Sequence, residues 1–325
     1  MIQQRPSRPA PYRAVWFAIL ALTLSAALAG CRRTVVVTPT PLPTATLTPT
    51  PFSTALPTVE PQATYGGDAR PYQLLLQAPD ASSNAVDGLE SFLNDNAGFT
   101  FTVTRAESGA AALTALCGAT PTLAFVDGWT LLAAQAQGCA RPILSYVRGQ
   151  GSAARTGVSA DLIVPATSQA SDASGLRGLI YCRLNESDLE TWILPTLIMR
   201  TAAGFDPFTD FQTVRDVPTL QALVQEVAAG NCVGAVPAGT VGEYGELSAA
   251  VRVLQSSPEL PFGGVVVSAT VSLATADSLS ELLVDNATKV RGVIDATTVQ
   301  GAQQSSIDAM VGFMRQARFD LTALR

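Results

Sequence analysis

The segment YCRLNESDLETWILP, Tyr181 to Pro195, places Glu186, Asp188 and Glu190 at the mouth of a helix. It reads as a buried strand ending at Cys182, a short turn, and a helix opening near Ser187. A helix that follows a strand presents free N–H groups and the positive end of its dipole, a ready seat for an anion. Here the seat is crowded with negative charge. As caps, Asp188 and Glu190 would each stabilise the first turn by about 0.3–1 kcal/mol through the dipole, and Ser187 with Glu190 makes a Ser-x-x-Glu capping box. As ligand groups, the same carboxylates would line a cleft for a cationic or polyol solute, with Thr191 adding a hydroxyl and Trp192 an aromatic wall.

A second group lies earlier in the chain. Asp127 ends the apolar run TLAFVD, just before Gly-Trp-Thr. It either caps a helix over 128–137 or faces a ligand together with Trp129 and Thr130. Arg183 and Arg148 would supply the positive charge that an oxyanion needs, or else pair with surface acids. The PDASS turn at 79–83 offers hydroxyls, or Ser82 or Ser83 as a helix cap.

Other chemistries have little support. The chain has no histidine, which removes the commonest general base and metal ligand. The cysteine spacings fit no Cys₄ zinc pattern, and no nucleophile stands beside a base. We therefore expect a binding protein rather than an enzyme, without catalytic residue, metal or cofactor. A net charge of −6 with Lys289 as the one lysine argues against nucleic-acid binding.

These residues need elements to position them. With 47% hydrophobic residues in 325, the chain can build one large or two ordinary domains. From Tyr72 short apolar runs alternate with helical stretches. Strands are expected at 72–78, 99–104, 122–126, 142–147 and 160–166, with helices at 83–95, 108–116 and 128–137 between them. The rhythm restarts with strands at 178–182, 211–217 and 232–238 and helices at 187–203 and 218–229. It closes with a strand at 265–271 and helices near 276–295 and 304–317. This is the pattern of mainly parallel sheets faced by helices. Two runs of it predict two α/β lobes, the second inserted in the first: 71–162 completed by 265–325, and 163–264. A ligand would lie in the cleft between them, outside the carboxyl ends of the strands.

The N-terminus reads as a processing signal. Arg5, Arg8 and Arg13 precede an apolar run, and small residues lead into LAGC, Leu28 to Cys31. This resembles the bacterial lipobox, which implies cleavage after residue 30 and a lipid on Cys31. The segment carries three basic residues and no acid, so its removal takes the chain from −6 to −9. Residues 31–70 are rich in Thr and Pro and read as a disordered, semi-rigid stalk. At about 3.1 Å per residue it would hold a domain up to roughly 100 Å from the membrane. The expected location is the cell envelope, extracytoplasmic and lipid-anchored, and the expected state is a monomer. With Cys31 lipidated, four cysteines remain, and an even number in an exported protein favours disulfides. Of the three pairings, Cys117–Cys139 and Cys182–Cys232 keep each bridge within one lobe.

LAGC, the Thr/Pro stalk and the two-lobed pattern resemble substrate-binding lipoproteins of ABC importers. The stretch from about 113 to 268 resembles the phosphate/phosphonate-binding group, with the periplasmic binding protein type 2 fold. The resemblance is carried by LCGATPTLAFVDGWTLLAAQAQGCA, GLRGLIYCR, WILPTLIMRTAAGFDP, VAAGNCVGAV and SSPELPFGGVVV. It implies hinge closure around a small oxyanion, with hinge strands near 160–166 and 258–266, and delivery to an ABC permease. The departures bear on the ligand. The group's Ser-Thr-Ser-Gly turn falls on Asp188, Leu189, Glu190 and Thr191. Its two tyrosines fall at Leu131 and near Thr156, and the acids of its Gly-Asp-Cys-Asp strand fall on Asn231 and Val233. An anion seat has lost hydroxyl donors and gained two carboxylates. The expectation is a solute-binding lipoprotein with weakened oxyanion binding. The alternative is a surface lipoprotein that kept the fold as a sensor or interaction module, with altered or no ligand.

Overall fold

The computed structural model describes residues 65–321, save 79 and 203. The leader, Cys31 and nearly all of the stalk lie outside the described residues.

The chain alternates as its hydrophobic pattern requires. Strand β1 (Tyr72–Leu76) leads into α1 (Ser83–Asn96), which turns Val86, Leu89 and Leu93 inward at helical spacing. Of the two serines proposed as its cap, Ser82 serves, accepting from the Ala85 N–H. Then follow β2 (Phe101–Arg105), α2 (Gly109–Leu116), β3 (Thr122–Asp127), α3 (Gly128–Ala136) and β4 (Ala140–Val147). After a short β5 (Gly157–Val158) come β6 (Ala160–Pro165), β7 (Ile180–Arg183), a π-turn (Leu189–Ile193) and α4 (Leu194–Thr201). The second run closes with β8 (Thr213–Asp216), α5 (Leu220–Ala228), β9 (Val233–Pro237), a kinked 3₁₀ segment (Val241–Ala250) and β10 (Val251–Ser256). The chain ends through β11 (Leu260–Pro261), β12 (Gly263–Ser268), α6 (Leu273–Asp285), α7 (Ala287–Val290), β13 (Thr298–Gly301) and α8 (Gln304–Gln316).

Apart from β5 and β11, the strands form two sheets that share a topology save for the extra edge strand β13 of the first. The first has the order β13-β4-β12-β3-β1-β2, the second β10-β6-β9-β7-β8. In each, the first strand of the run sits between the second and third, all three parallel. In each, the third strand is flanked by an antiparallel strand, β12 or β6, that arrives from the other sheet. The segments 148–159 and 257–262 make these crossings. Their ends fix the geometry: Gly263 pairs with Asp127 at the carboxyl end of β3, and Ala160 pairs with Pro237 at the carboxyl end of β9. The carboxyl edges of both sheets therefore flank the crossing. Strand β6 belongs wholly to the second sheet, although the sequence places the lobe boundary within it.

The crossing is a small ribbon in its own right. β5 and β11 pair antiparallel, and Thr156 Oγ1 donates to Glu259 across them at 2.5 Å. A Cβ on Gly157 would stand 2.2 Å from the Leu260 carbonyl oxygen, and one on Gly128 would stand 1.8 Å from that of Pro261. Only glycine lets the chain pass so closely at these two places. The first helical residue of α3 thus butts against the ribbon.

One apolar core runs through both lobes. Leu131 and Leu132 of α3, Leu194, Leu197 and Ile198 around α4, and Met310 and Met314 of α8 belong to a single buried cluster. A second cluster lies on the other face of the first sheet, under α1 and α6, and a third packs α5 onto the second sheet. Both disulfides form as paired in the sequence: Cys117 with Cys139, and Cys182 with Cys232.

Candidate ligand-binding cleft

The first-lobe wall is built at the carboxyl ends of β1 and β3. Asp127 has extended backbone and caps α3, its Oδ1 accepting the Thr130 N–H at 2.7 Å. Its Oδ2 accepts from Gln77 Nε2 at 2.7 Å, and Gln77 Oε1 in turn accepts the Asp127 N–H. Gln77, the residue directly after β1, meets Asp127 across 50 residues of sequence, a partnership that no local pattern signals. Both partners are neutral, so the Asp127 charge is hydrogen-bonded but not neutralised. Thr130 is buried, and its hydroxyl has no hydrogen-bond partner. Trp129 is half-buried and packs against the shared core and Phe319.

The second-lobe wall lies after β7. The sequence places the cap at Ser187 with Glu190 as its box partner; the structure moves it by one residue. Asp188 is the cap, with Oδ1 accepting both the N–H and the hydroxyl of Thr191 at 2.7 Å. Ser187 is exposed, and its N–H donates to Asn185 Oδ1. A carboxylate accepts more strongly than a hydroxyl, and Thr191 satisfies it twice, which explains the shift. The helix opens as a π-turn before tightening into α4, where an α-helix from 187 was expected. Thr191 Oγ1 also accepts the Leu184 N–H, and the Thr191 carbonyl accepts from Tyr181 Oη. Thr191 therefore holds the turn together from within and is buried.

Arg183 reaches over this wall. Its Nε donates to Asp216 at 2.7 Å, and its guanidinium stacks on Trp192 at 4.7 Å from the ring centroid. Trp192 is itself buried against Tyr181, with Phe208 edge-on. Arg183 is thus already paired, as is Arg148, which binds Asp295 at 2.7 Å and stacks on Phe262.

Glu190 is half-buried, and its carboxyl is pushed up, first by burial and then by the charge of Asp188; Arg155 partly offsets both. Arg155, on the crossing segment, is thus the cation that Glu190 senses, a residue the sequence reading passed over. Burial also pushes the Tyr146 hydroxyl up, reinforced by the negative charge of Asp127. The structure thus gathers Asp127 with Thr130, and Asp188, Glu190 and Thr191 with Arg183 and Trp192. Among the described residues no hydrogen bond or ion pair joins the first group to the second.

Two sheets that share a five-strand topology, with carboxyl edges flanking a doubly crossed hinge, define the two-lobed type 2 binding-protein fold. The chain belongs to the ABC transporter phosphonate periplasmic substrate-binding protein family, whose profile matches residues 74–310. It is an extracytoplasmic solute-binding protein of an ABC-type importer. No curated protein matches it. Among solved structures it is similar to XAC2383 from Xanthomonas citri bound to ATP, at 16% identity and a TM-score of 0.46, covering 76% of this chain and 98% of that one. It is also similar to PhnD1 from Prochlorococcus marinus in complex with methylphosphonate, at 13% identity and 0.37, covering 77% and 98%. Transferrin 1 from Manduca sexta aligns at 12% identity and 0.50, covering 78% of this chain and 46% of that one, which is a likeness of fold alone.

Proposed function

We propose that this chain is a membrane-tethered solute receptor whose cleft takes a small polar solute other than a phosphate or phosphonate dianion. In this reading Cys31 carries the lipid, the Thr/Pro stalk spaces the binding domain from the membrane, and a monomer delivers solute to an ABC permease without chemistry on it. The lobes are those expected from the sequence with their boundaries moved into the crossing segments, so that β6 falls wholly in the second lobe and β12 wholly in the first, and they close about the crossing. Asp127, Trp129, Thr130, Arg183, Ser187, Asp188, Glu190, Thr191 and Trp192 are the residues proposed to form or support the cleft.

The observation that carries this reading is the filling of the anion seat. The Asp188 carboxylate already takes the Thr191 N–H and hydroxyl, two of the donors at the mouth of this helix. Glu190 adds a second carboxylate beside it. A dianion closed against two such charges would be disfavoured by several kcal/mol, on the order expected for like charges a few ångströms apart in a partly desolvated cleft. Titration calorimetry with inorganic phosphate and with methylphosphonate should give no binding tighter than about 100 μM, a free energy of roughly −5.5 kcal/mol. Micromolar binding of either would overturn the reading. Tethering is tested separately: Cys31→Ala should move the protein from the detergent phase to the aqueous phase.

A further inference from the structure

A cavity of about 430 Å³ opens at the crossing between the lobes. That volume suits a small organic ligand. Gln300 of β13 and Gln303 before α8 bound it from the first lobe, and Ala238, just after β9, bounds it from the second. Both crossing segments complete it, one with Arg155 and Ser159, the other with Glu259. A solute held here touches the pieces that must move when the lobes close.

The cavity holds one cation and one anion that do not meet. Arg155 stands at the end of a tight turn: Gly149 has φ +81°, and a Cβ there would lie 2.3 Å from the Ala153 carbonyl oxygen. The Arg155 N–H donates to the Arg148 carbonyl, and its own carbonyl accepts the Arg148 N–H, both at 2.9 Å. The backbone is thereby fixed, yet the exposed guanidinium makes no hydrogen bond or ion pair among the described residues. Arg148, opposite it in this bridge, is taken by Asp295. Glu259 accepts from Thr156 through Oε1, which leaves Oε2 without a partner among the described residues. The Gln300 amide and the Ser159 hydroxyl line the same space and are equally unbonded there. A guanidinium offers paired N–H donors to an oxyacid head, and the free carboxylate oxygen accepts from an ammonium. Glu190 of the second-lobe turn feels the charge of Arg155. A solute that is neutral overall occupies that cation without bringing net negative charge to Asp188 and Glu190.

We propose that this hinge cavity seats the solute, and that the solute is a small zwitterion: a singly charged oxyacid head, sulfonate or carboxylate, held by Arg155, and an ammonium held by Glu259. The proposal rests on the reading that the cleft does not serve a dianion. The head remains an oxyanion, but it brings half the charge of a phosphonate dianion and carries its own cation.

The probes are taurine and β-alanine, which differ in the head, compared by calorimetry at pH 7 with ethanesulfonate and ethylammonium, which keep one charge each. The expected result is saturable binding of at least one zwitterion, about fivefold tighter than either single-charge analogue, the effect of one partly solvated charge. Arg155→Gln should weaken the zwitterion about fivefold and leave ethylammonium unaltered. Glu259→Gln should weaken it similarly and leave ethanesulfonate unaltered, a crossed pattern that general loss of structure does not give. Arg291→Gln, the same charge change as Arg155→Gln but at the exposed end of α7, should alter neither. Ala154→Trp, at the rim, should block binding, with circular dichroism confirming the fold. Zwitterions bound no tighter than the single-charge analogues, or an equal effect of Arg155→Gln and Arg291→Gln, would overturn the proposal. Micromolar phosphate binding in the same buffer would overturn the functional reading instead, so the two failures are distinguishable.

Discussion

At the scale of single residues, the candidate cleft is governed by where carboxylates find donors. Asp188 Oδ1 takes both the N–H and the hydroxyl of Thr191, whereas Glu190 is half-buried beside it with Arg155 as a counter-charge. The Glu190 carboxyl is raised in the folded protein. The native state therefore holds its proton at pH values where the unfolded chain has released it, and stability falls as pH rises through that window. Glu190→Gln removes the penalty. It should raise the melting temperature at pH 7 by ~1–2 °C, a small figure because the group is half exposed and screened. The gain should vanish at a pH below the ordinary glutamate range, where both states are protonated. An equal gain at every pH would show that packing, not charge, is responsible. Asp188→Ala should act oppositely, with a loss of about 1 kcal/mol as the turn forfeits its cap.

At the scale of elements, the cross-links tie down pieces that the helices and strands leave adjacent. Cys117 caps α2 and joins the chain just beyond α3, while Cys182 in β7 joins the residue that enters β9. Sequence separations of 22 and 50 imply loop-closure contributions of about 3 and about 4 kcal/mol. Urea unfolding of Cys117→Ser/Cys139→Ser and Cys182→Ser/Cys232→Ser should show losses of that size, larger for the second pair. An unchanged midpoint in either would remove that bridge from the stability account. The pairing was legible because each cysteine borders an element whose place the alternating pattern already defined. The two α/β runs were legible for the same reason: buried strands such as TLAFV and helices such as the one bearing Val86, Leu89 and Leu93 announce themselves by period. The two-residue strands β5 and β11 are too short to have a period, so the crossing ribbon was not. The π-turn was also hidden, because its register is set by the double hydrogen bond of Asp188 to Thr191 rather than by hydrophobic spacing. The Gln77–Asp127 and Arg155–Glu190 relations span the fold, and nothing local encodes them.

At the scale of the whole molecule, the two lobes are coupled by more than the crossing. Helix α8 is the last helix of the described chain, yet it packs against α3 of the first lobe and α4 of the second. Met310 and Met314 are fully buried in the cluster that also holds Leu131, Leu194 and Ile198. On this side the lobes share a core, and only the crossing ribbon and the cleft walls remain for opening. The helix should therefore act as a pivot that limits how far the lobes separate. Met310→Ala with Met314→Ala would leave voids at the pivot, and each should lower stability by about 2–5 kcal/mol. The consequence for motion is separately measurable. Spin labels at Asp87→Cys on α1 and Glu246→Cys in the second lobe, both exposed, report the distance between lobes. With an intact pivot, pulsed electron-spin resonance should give one narrow distance. The paired methionine variant should give a broadened distribution extending to longer distances, while the separation of two labels within the first lobe stays fixed. Identical interlobe distributions in the two proteins would mean that the crossing ribbon alone sets the hinge and that α8 contributes only to stability.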